Sequence, residues 1–175
     1  TEKAVRGVEN VTVEDGYFVK AENLLKVAVI ERHNRTGNIG LGLVEDFGLE
    51  NGAIASTVAH DSHNLIVIGD NDEDMLLAIE ELERVGGGLT MVSEGRVLDT
   101  LPLTIAGLMS EETLEVVDEK LHAMIELAYN KLKVNRDLDP FMTLSFIALP
   151  VIPEIKLTDL GLFDVEEFKF IQLTE

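Results

Sequence analysis

Apolar positions recur along part of the chain with a helical spacing. In the segment DEDMLLAIEELERV, residues 72–85, five apolar residues follow the i, i+3, i+4, i+7 pattern, which is typical of one face of an amphipathic helix. These apolar positions are Met75, Ala78, Ile79, Leu82 and Val85. Asp72 is the expected N-cap, and the three glycines at 86–88 are expected to end the helix.

Two further segments carry helix signals. The longer one, SEETLEVVDEKLHAMIELAYNKLK, spans residues 110–133 with Ser110 as its expected N-cap. Its predicted buried face consists of Leu114, Val117, Leu121, Met124, Ala128 and Leu132. The shorter one, DPFMTLSFIAL, places Asp139 at the N-cap and Pro140 in the first turn, and Pro150 follows it.

The remaining apolar stretches are short, rich in β-branched or aromatic residues, and bounded by turn formers, which predicts strands. They are YFV (17–19), KVAVIER (26–32), AIASTVA (53–59), LIVIG (65–69), GLTMVS (88–93), RVLDTLP (96–102) and EFKFIQL (167–173). SEGR, residues 93–96, is the expected turn of a hairpin. Because helices and strands do not alternate regularly, we expect an α+β fold. It comprises a mixed β-sheet packed with two to three helices in a single compact domain, residues 1–175.

Composition narrows the class of protein. The chain has 175 residues, of which 46% are hydrophobic, and a net charge of −19. This negative charge disfavours nucleic acid and anionic membrane surfaces as partners. There are no cysteines, which removes disulfides and thiolate chemistry. With no signal peptide in view, we expect a cytoplasmic protein, and the start without Met suggests a fragment of a longer chain.

Two polar clusters interrupt the apolar pattern. AHDSHN, residues 59–64, separates two predicted strands, and ERHNR, residues 31–35, follows another. Each cluster is compatible with a functional loop or with an ordinary polar turn. A complete metal site is not expected, because beyond His60 and His63 the chain offers only His33 as an obvious further imidazole ligand. The glycines of GNIGLG, residues 37–42, lack the order of a dinucleotide fingerprint.

Several long strings, in order along the chain, resemble the C-terminal domain of bacterial adenine deaminases, members of the amidohydrolase superfamily. They are VIERHNRTGNIGLGLVEDFGL, GAIASTVAHDSHNLIVIGDNDEDMLLAI, GGGL, LPLTIAGLMS and DPFMTLSFIALPVIPEIKLTDLGLFDV. The resemblance implies hydrolysis of adenine to hypoxanthine and ammonia, in purine salvage, by an enzyme that uses manganese or iron. It also implies that the metal ligands lie in a (β/α)8 barrel absent from this chain, which is too short to contain one.

On this resemblance, the partner of the domain is the barrel of the same polypeptide, and adenine is the substrate of the whole enzyme. The two polar clusters are then expected to line or gate the barrel's active site. The candidate residues are Arg32, His33, His60, Asp61, His63 and Asn64. No catalytic residue and no metal ligand is assigned within the chain itself, and the fragment alone is expected to be inactive.

Two other hypotheses remain open. In the first hypothesis, the domain is a non-catalytic interaction or oligomerisation module, and its polar clusters form interface contacts, for example in a homo-oligomer. Alternatively, the chain is a small independent metalloenzyme that binds metal through His33, His60 and His63. Detectable adenine binding separates a substrate-contacting domain from an interaction module, and stoichiometric metal identifies the independent metalloenzyme.

Overall fold

The computed structural model describes residues 5–15, 17–19 and 23–173, so the expected domain limits at residues 1 and 175 lie outside the described residues. Six strands form the main sheet in the order β4-β3-β6-β5-β7-β8. They are β3 (Leu24–Ile30), β4 (Ile39–Glu45), β5 (Gly52–Ser56), β6 (Leu65–Gly69), β7 (Gly88–Ser93) and β8 (Arg96–Pro102). Two short strands, β1 (Val13–Glu14) and β2 (Tyr17–Phe18), form a separate pair.

A second, smaller sheet contains β9 (Ile155–Thr158), β10 (Gly161–Asp164) and β11 (Lys169–Ile171), with β10 in the middle. The helices are α1 (Asp72–Val85), α2 (Leu114–Lys131) and α3 (Pro140–Ile147). The α+β class is therefore confirmed. Every described strand pair is antiparallel, whereas we expected a mixed sheet.

The two faces of the main sheet support separate cores. On one face α1 packs Met75, Ala78 and Leu82 against alanines and valines of β3, β5, β6 and β7. The opposite face packs against α2, α3 and the small sheet, and its fully buried side chains include Ile54, Met91, Met124, Leu132, Leu144 and Leu157. Among the described residues, no helix combines the length and apolarity needed to cross a membrane.

The helix boundaries confirm most sequence signals and correct two of them. Asp139 caps α3 by accepting hydrogen bonds from the Phe141 and Met142 backbone N–H groups. The side chain of Asn71, rather than Asp72, caps α1 by accepting from the Asp74 N–H. The long helix begins later than predicted, after Thr113, so Ser110 is not its N-cap.

The late start of α2 also changes its buried face. Leu114 occupies the first helical position and is exposed, whereas Met124 and Ala128 are buried as expected. Before the helix, the Ser110 hydroxyl accepts a hydrogen bond from the Glu112 N–H in a separate turn. Ser110 therefore caps a local turn, and the helix begins after Thr113.

The glycine-rich segment 37–42 contributes to β4, a strand that was not among the predicted ones. Gly42 of β4 lies opposite Val27 of β3. A Cβ atom added at Gly40 would stand 1.8 Å from the carbonyl oxygen of Thr158 in β9. Glycine is therefore required at position 40 for the close approach of the small sheet to β4.

Candidate functional site

The pairing of β3 with β6 brings the two polar clusters together. The two strands are antiparallel, and Ile30 at the end of β3 lies opposite Leu65 at the start of β6. Residues that follow β3 and residues that precede β6 therefore lie next to each other at the same end of these two strands. Segments 31–36 and 60–64 are neighbours for this reason, although about thirty residues separate them in the chain.

Arg32 and His33 connect the two segments directly. The Arg32 Nε–H donates to the carbonyl oxygen of His63 at 2.6 Å. His33 Nε2 lies 2.8 Å from the carbonyl oxygen of Ser62, so this nitrogen carries the proton in the neutral ring. Burial lowers the pKa of Arg32 from its ordinary value. Both side chains thus contribute to holding segment 60–64 in place.

Glu31 fixes the first segment from within. Its carboxylate accepts hydrogen bonds from the backbone N–H groups of His33, Asn34 and Thr36 at 2.6, 2.7 and 3.0 Å. These bonds lower the pKa of the Glu31 carboxyl to about 2, and the bond from the Thr36 N–H makes the largest contribution. Glu31 therefore remains ionised at neutral pH and determines the shape of the loop. Sequence reasoning placed it in the cluster but gave it no function.

A third segment, residues 104–109, meets the other two. The Arg32 guanidinium donates to the carbonyl oxygen of Ala106 at 2.7 Å through Nη2. A Cβ atom at Gly107 would stand 2.8 Å from the same nitrogen, and this residue also has a positive φ of 74°. Glycine is therefore the residue type that this position accommodates.

Thr57 joins this third segment to the start of β7. Its hydroxyl donates to the carbonyl oxygen of Gly107 at 2.6 Å and accepts from the Gly88 N–H at 2.8 Å. Sequence reasoning missed both Thr57 and Gly107 as parts of the site. Thr57 was placed only in the predicted strand AIASTVA, and LPLTIAGLMS, which contains Gly107, was noted only for its resemblance to a known family.

His60 and His63 lie together beside α3. Their ring centroids are 5.7 Å apart in a T-shaped arrangement, and His60 also contacts the ring of Phe146 at 5.1 Å. The backbone N–H of His60 donates to the carbonyl oxygen of Ser145 at 3.1 Å. In the described part of the chain, neither ring nitrogen of His60 has a hydrogen-bond partner.

His63 is the more enclosed of the two imidazoles. Its Nδ1 atom is buried and has no hydrogen-bond partner among the described residues. Desolvation is the main reason that the pKa of His63 falls below its ordinary value, and the nearby His60 lowers it further. His63 is therefore a neutral imidazole at neutral pH.

Asn64 is buried and links the cluster to the small sheet. It is 3% exposed, and its Nδ2 donates to Asp159 Oδ1 at 3.2 Å. Asn38 Nδ2 donates to the other carboxylate oxygen of Asp159, also at 3.2 Å. Asp159 lies between β9 and β10, 95 residues from Asn64, and no local signal in the sequence identifies it as a member of the site.

Asp61 and Ser62 are the exposed tip of segment 60–64. They line the edge of a cleft of about 400 Å³ whose other walls include Leu160, Phe163 and Phe168. The carboxylate of Asp61 has no hydrogen-bond or ion-pair partner within residues 5–15, 17–19 and 23–173. The structure thus brings all six predicted residues into one region, in which Asn64 is buried and Asp61 is exposed.

The arrangement of these groups does not fit a metal ion. No three His, Asp or Glu side chains of the described chain are grouped so that they could hold one. His33 uses Nε2 to contact the Ser62 carbonyl, and His63 Nδ1 is enclosed by protein atoms. A site with three or four ligands cannot be assembled from His33, His60 and His63 in this geometry.

Comparison with known proteins agrees with the sequence resemblance. Residues 4–169 match the family described as adenine deaminase C-terminal domain. The chain is 62% identical over 146 residues to an adenine deaminase of Clostridium acetobutylicum, covering 83% of the chain and 26% of that protein. It is 57% identical over 166 residues to "Adenine deaminase 2" of Carboxydothermus hydrogenoformans, covering 94% of the chain and 29% of that protein.

A third relative, an adenine deaminase of Nitratidesulfovibrio vulgaris, is 56% identical over 155 residues, which cover 89% of the chain and 27% of the relative. The fold and the match define a single α+β domain of a kind that forms one part of longer relatives. The chain belongs to the adenine deaminase C-terminal domain family. It spans between a quarter and a third of the length of the curated relatives that it matches.

Proposed function

We propose that this chain is the C-terminal domain of an enzyme that hydrolyses adenine to hypoxanthine and ammonia. The observation that carries the proposal is the family match over residues 4–169, supported by relatives named adenine deaminase. The barrel of the same polypeptide, which this chain lacks, would hold the manganese or iron that activates water for attack on the ring. Purine salvage in the cytoplasm is the setting that we propose for this reaction.

Within that enzyme, we propose that the polar cluster forms part of the wall or gate of the active site. The residues divide by the state of their hydrogen-bonding groups. The Arg32 guanidinium and Asn64 Nδ2 donate to protein atoms, and we propose that both residues act as positioning residues. His60 and Asp61 present polar atoms that lack partners in the described chain. Adenine offers an amine donor and ring-nitrogen acceptors, which an imidazole and a carboxylate can match.

Kinetics of the full-length enzyme test this proposal. We expect His60→Ala to lower kcat/KM for adenine by about tenfold to a hundredfold, because a group that orients the substrate is lost. His122→Ala is a matched control, since His122 is an exposed imidazole on α2 whose polar contacts with other described residues are to Asp118 of the same helix. Circular dichroism and metal content establish that each variant is folded and loaded. If His60→Ala and Asp61→Asn both keep wild-type kinetics, the cluster has no role in the active site.

An interaction module is the second candidate function, and one observation favours it. Phe168 and Phe170 are exposed on the small sheet, and aromatic residues are enriched in protein interfaces. In that case the cluster would contribute to fastening the domain, and substitutions at His60 would change domain association without a specific effect on the chemical step. Adenine titration into the full-length protein by calorimetry separates the two, since only a substrate contact changes the affinity for adenine directly.

A further inference from the structure

The small sheet has one packed face and one uncovered face. Leu157 and Leu162 lie on the packed face, against Gly42 of β4. Phe163 of β10 lies directly opposite Phe170 of β11, and their ring centroids are 5.2 Å apart. Because side chains alternate between the faces of a strand, these two rings share the face that points away from β4.

The uncovered face opens into the cleft beside Asp61. We call this region the aromatic cleft and define it by Val151, Leu160, Phe163, Phe168 and Phe170, which all line it. Phe168 is 79% exposed and still packs on Phe163, with ring centroids 5.2 Å apart. Leu160 is 64% exposed. A continuous apolar surface that contains several aromatic rings is characteristic of a protein interface.

A buried cation lies beside the same rings. Lys156 is directly opposite Phe163 in the β9–β10 pair and is only 4% exposed. Across the described residues its ammonium has no hydrogen-bond or ion-pair partner, and burial lowers the pKa of the group. A lysine that is largely buried and unpaired among the described residues favours an acidic group on the surface that covers this face.

The connection to the rest of the enzyme also reaches this sheet. Since the family is a C-terminal domain, the larger part of a full-length relative precedes the matched segment. That part therefore joins the domain through the segment before β1, residues 5–12, which we call the N-terminal arm. In the arm, the Arg6 N–H donates to Glu154 Oε2 at 3.3 Å, and the Arg6 guanidinium lies 3.8 Å from Asp164 Oδ2. The arm thus enters beside β9 and β10.

We propose that the aromatic cleft is the docking surface for the catalytic part of the same polypeptide. This proposal rests on the proposed function, because it assumes that a larger catalytic part exists. The chain covers only 26–29% of its relatives, so most of their polypeptide is available to cover the cleft. Asp61 and Ser62 line the same cleft. Docking there therefore brings the exposed tip of the polar cluster against the catalytic part.

The absence of cysteine from the chain allows a direct test in the full-length protein. Single cysteines are introduced as Phe168→Cys and Leu160→Cys in the cleft and as Leu114→Cys at the start of α2. Leu114 is a matched control because it is 78% exposed, against 79% for Phe168. Each folded variant is treated with a thiol reagent, and the rate of labelling of the peptide that contains the new cysteine is followed by mass spectrometry.

We expect both cleft cysteines to react about tenfold or more slowly than the cysteine at position 114, because docking covers them until the interface opens. Equal rates at positions 168, 160 and 114 would overturn the proposal. The use of two cleft positions guards against a substitution that itself disturbs docking. Protection that disappears on dilution, together with a cross-link between two copies, would overturn it in favour of a second copy of the chain as the occupant.

The labelling result does not depend on activity, so it separates this proposal from the role of the polar cluster. Protected cleft cysteines with unchanged kinetics of His60→Ala would leave the docking surface in place and remove the active-site role. Reactive cleft cysteines with impaired kinetics of His60→Ala would do the opposite. A full-length protein that fails to deaminate adenine with metal bound would contradict the proposed function independently of both results.

Discussion

Arg32 and Asp61 belong to the same polar cluster and differ in what they contact. The guanidinium of Arg32 donates to two backbone carbonyl groups from two separate loops, and Asn64 similarly binds Asp159 of the small sheet. Asp61 is exposed and has no side-chain partner in the described part of the chain. Hydrogen-bond partners therefore distinguish the anchoring residues of the cluster from a residue whose polar atoms are not engaged by other described residues.

Removal of the main anchor has the largest expected effect. Arg32→Ala leaves the carbonyl oxygens of His63 and Ala106 without their donor, so the free energy of unfolding should fall by about 3 kcal/mol. Arg35→Ala is the control, since Arg35 is exposed and makes no hydrogen bond or ion pair with other described residues. Urea denaturation of both variants measures the difference. Equal stability of the two variants would mean that Arg32 is not an anchor.

Asn64→Ala tests the second anchor and should have a smaller effect. The substitution removes the donor to Asp159 Oδ1 from a buried position, and we expect a loss of about 1–2 kcal/mol in the free energy of unfolding. Asn34→Ala is the matched control, because the Asn34 side chain is exposed and has no hydrogen bond to another described residue. A comparable loss in both variants would contradict the anchoring role of Asn64.

The enclosure of His63 predicts a dependence of stability on pH. Burial lowers its pKa from the ordinary value of 6.5, so near that pH the native state binds fewer protons than the unfolded state. The stabilising contribution is therefore complete above pH 6.5 and decreases as the pH falls below it. Urea midpoints measured between about pH 7.5 and 5 should fall more steeply for wild type than for His63→Gln. His122→Gln, on an exposed face of α2, controls for the loss of an imidazole.

Asp61→Asn should have the smallest effect on folding. Because the carboxylate is exposed and lacks a partner in the described chain, the free energy of unfolding should change by less than about 0.5 kcal/mol. A decrease in kcat/KM for adenine in the full-length enzyme, with stability unchanged, would place Asp61 among the residues that meet the ligand. A large loss of stability would instead move it into the anchoring group.

Short runs rich in β-branched residues allowed three strands of the main sheet to be predicted accurately from sequence. The runs LIVIG, GLTMVS and RVLDTLP coincide with β6, β7 and β8, and Glu94 and Gly95 form the predicted turn between the last two strands. The segment of β4 was missed because its two interior glycines resemble loop residues. Its period-two alternation of Ile39, Leu41 and Leu43 was the signal that predicts a strand.

Sequence reasoning selected the polar residues of the site but not their partners. Clusters of Arg, His and Asn next to apolar runs can be identified directly in the amino-acid sequence. The resemblance then placed them in a known family. Their meeting depends on the pairing of β3 with β6, and the contribution of Asp159 comes from a different sheet. Strand order and contacts between distant segments are set by tertiary packing, which local patterns do not encode.

The internal bonding of segment 31–36 limits how the site can move. The Glu31 carboxylate accepts hydrogen bonds from three backbone N–H groups of this segment, and Arg32 connects the segment to two others. A loop with its hydrogen bonds already made has little conformational entropy left to lose when a substrate arrives. If the proposed function holds, segment 31–36 would meet a ligand as a preformed loop, with its backbone already fixed before binding.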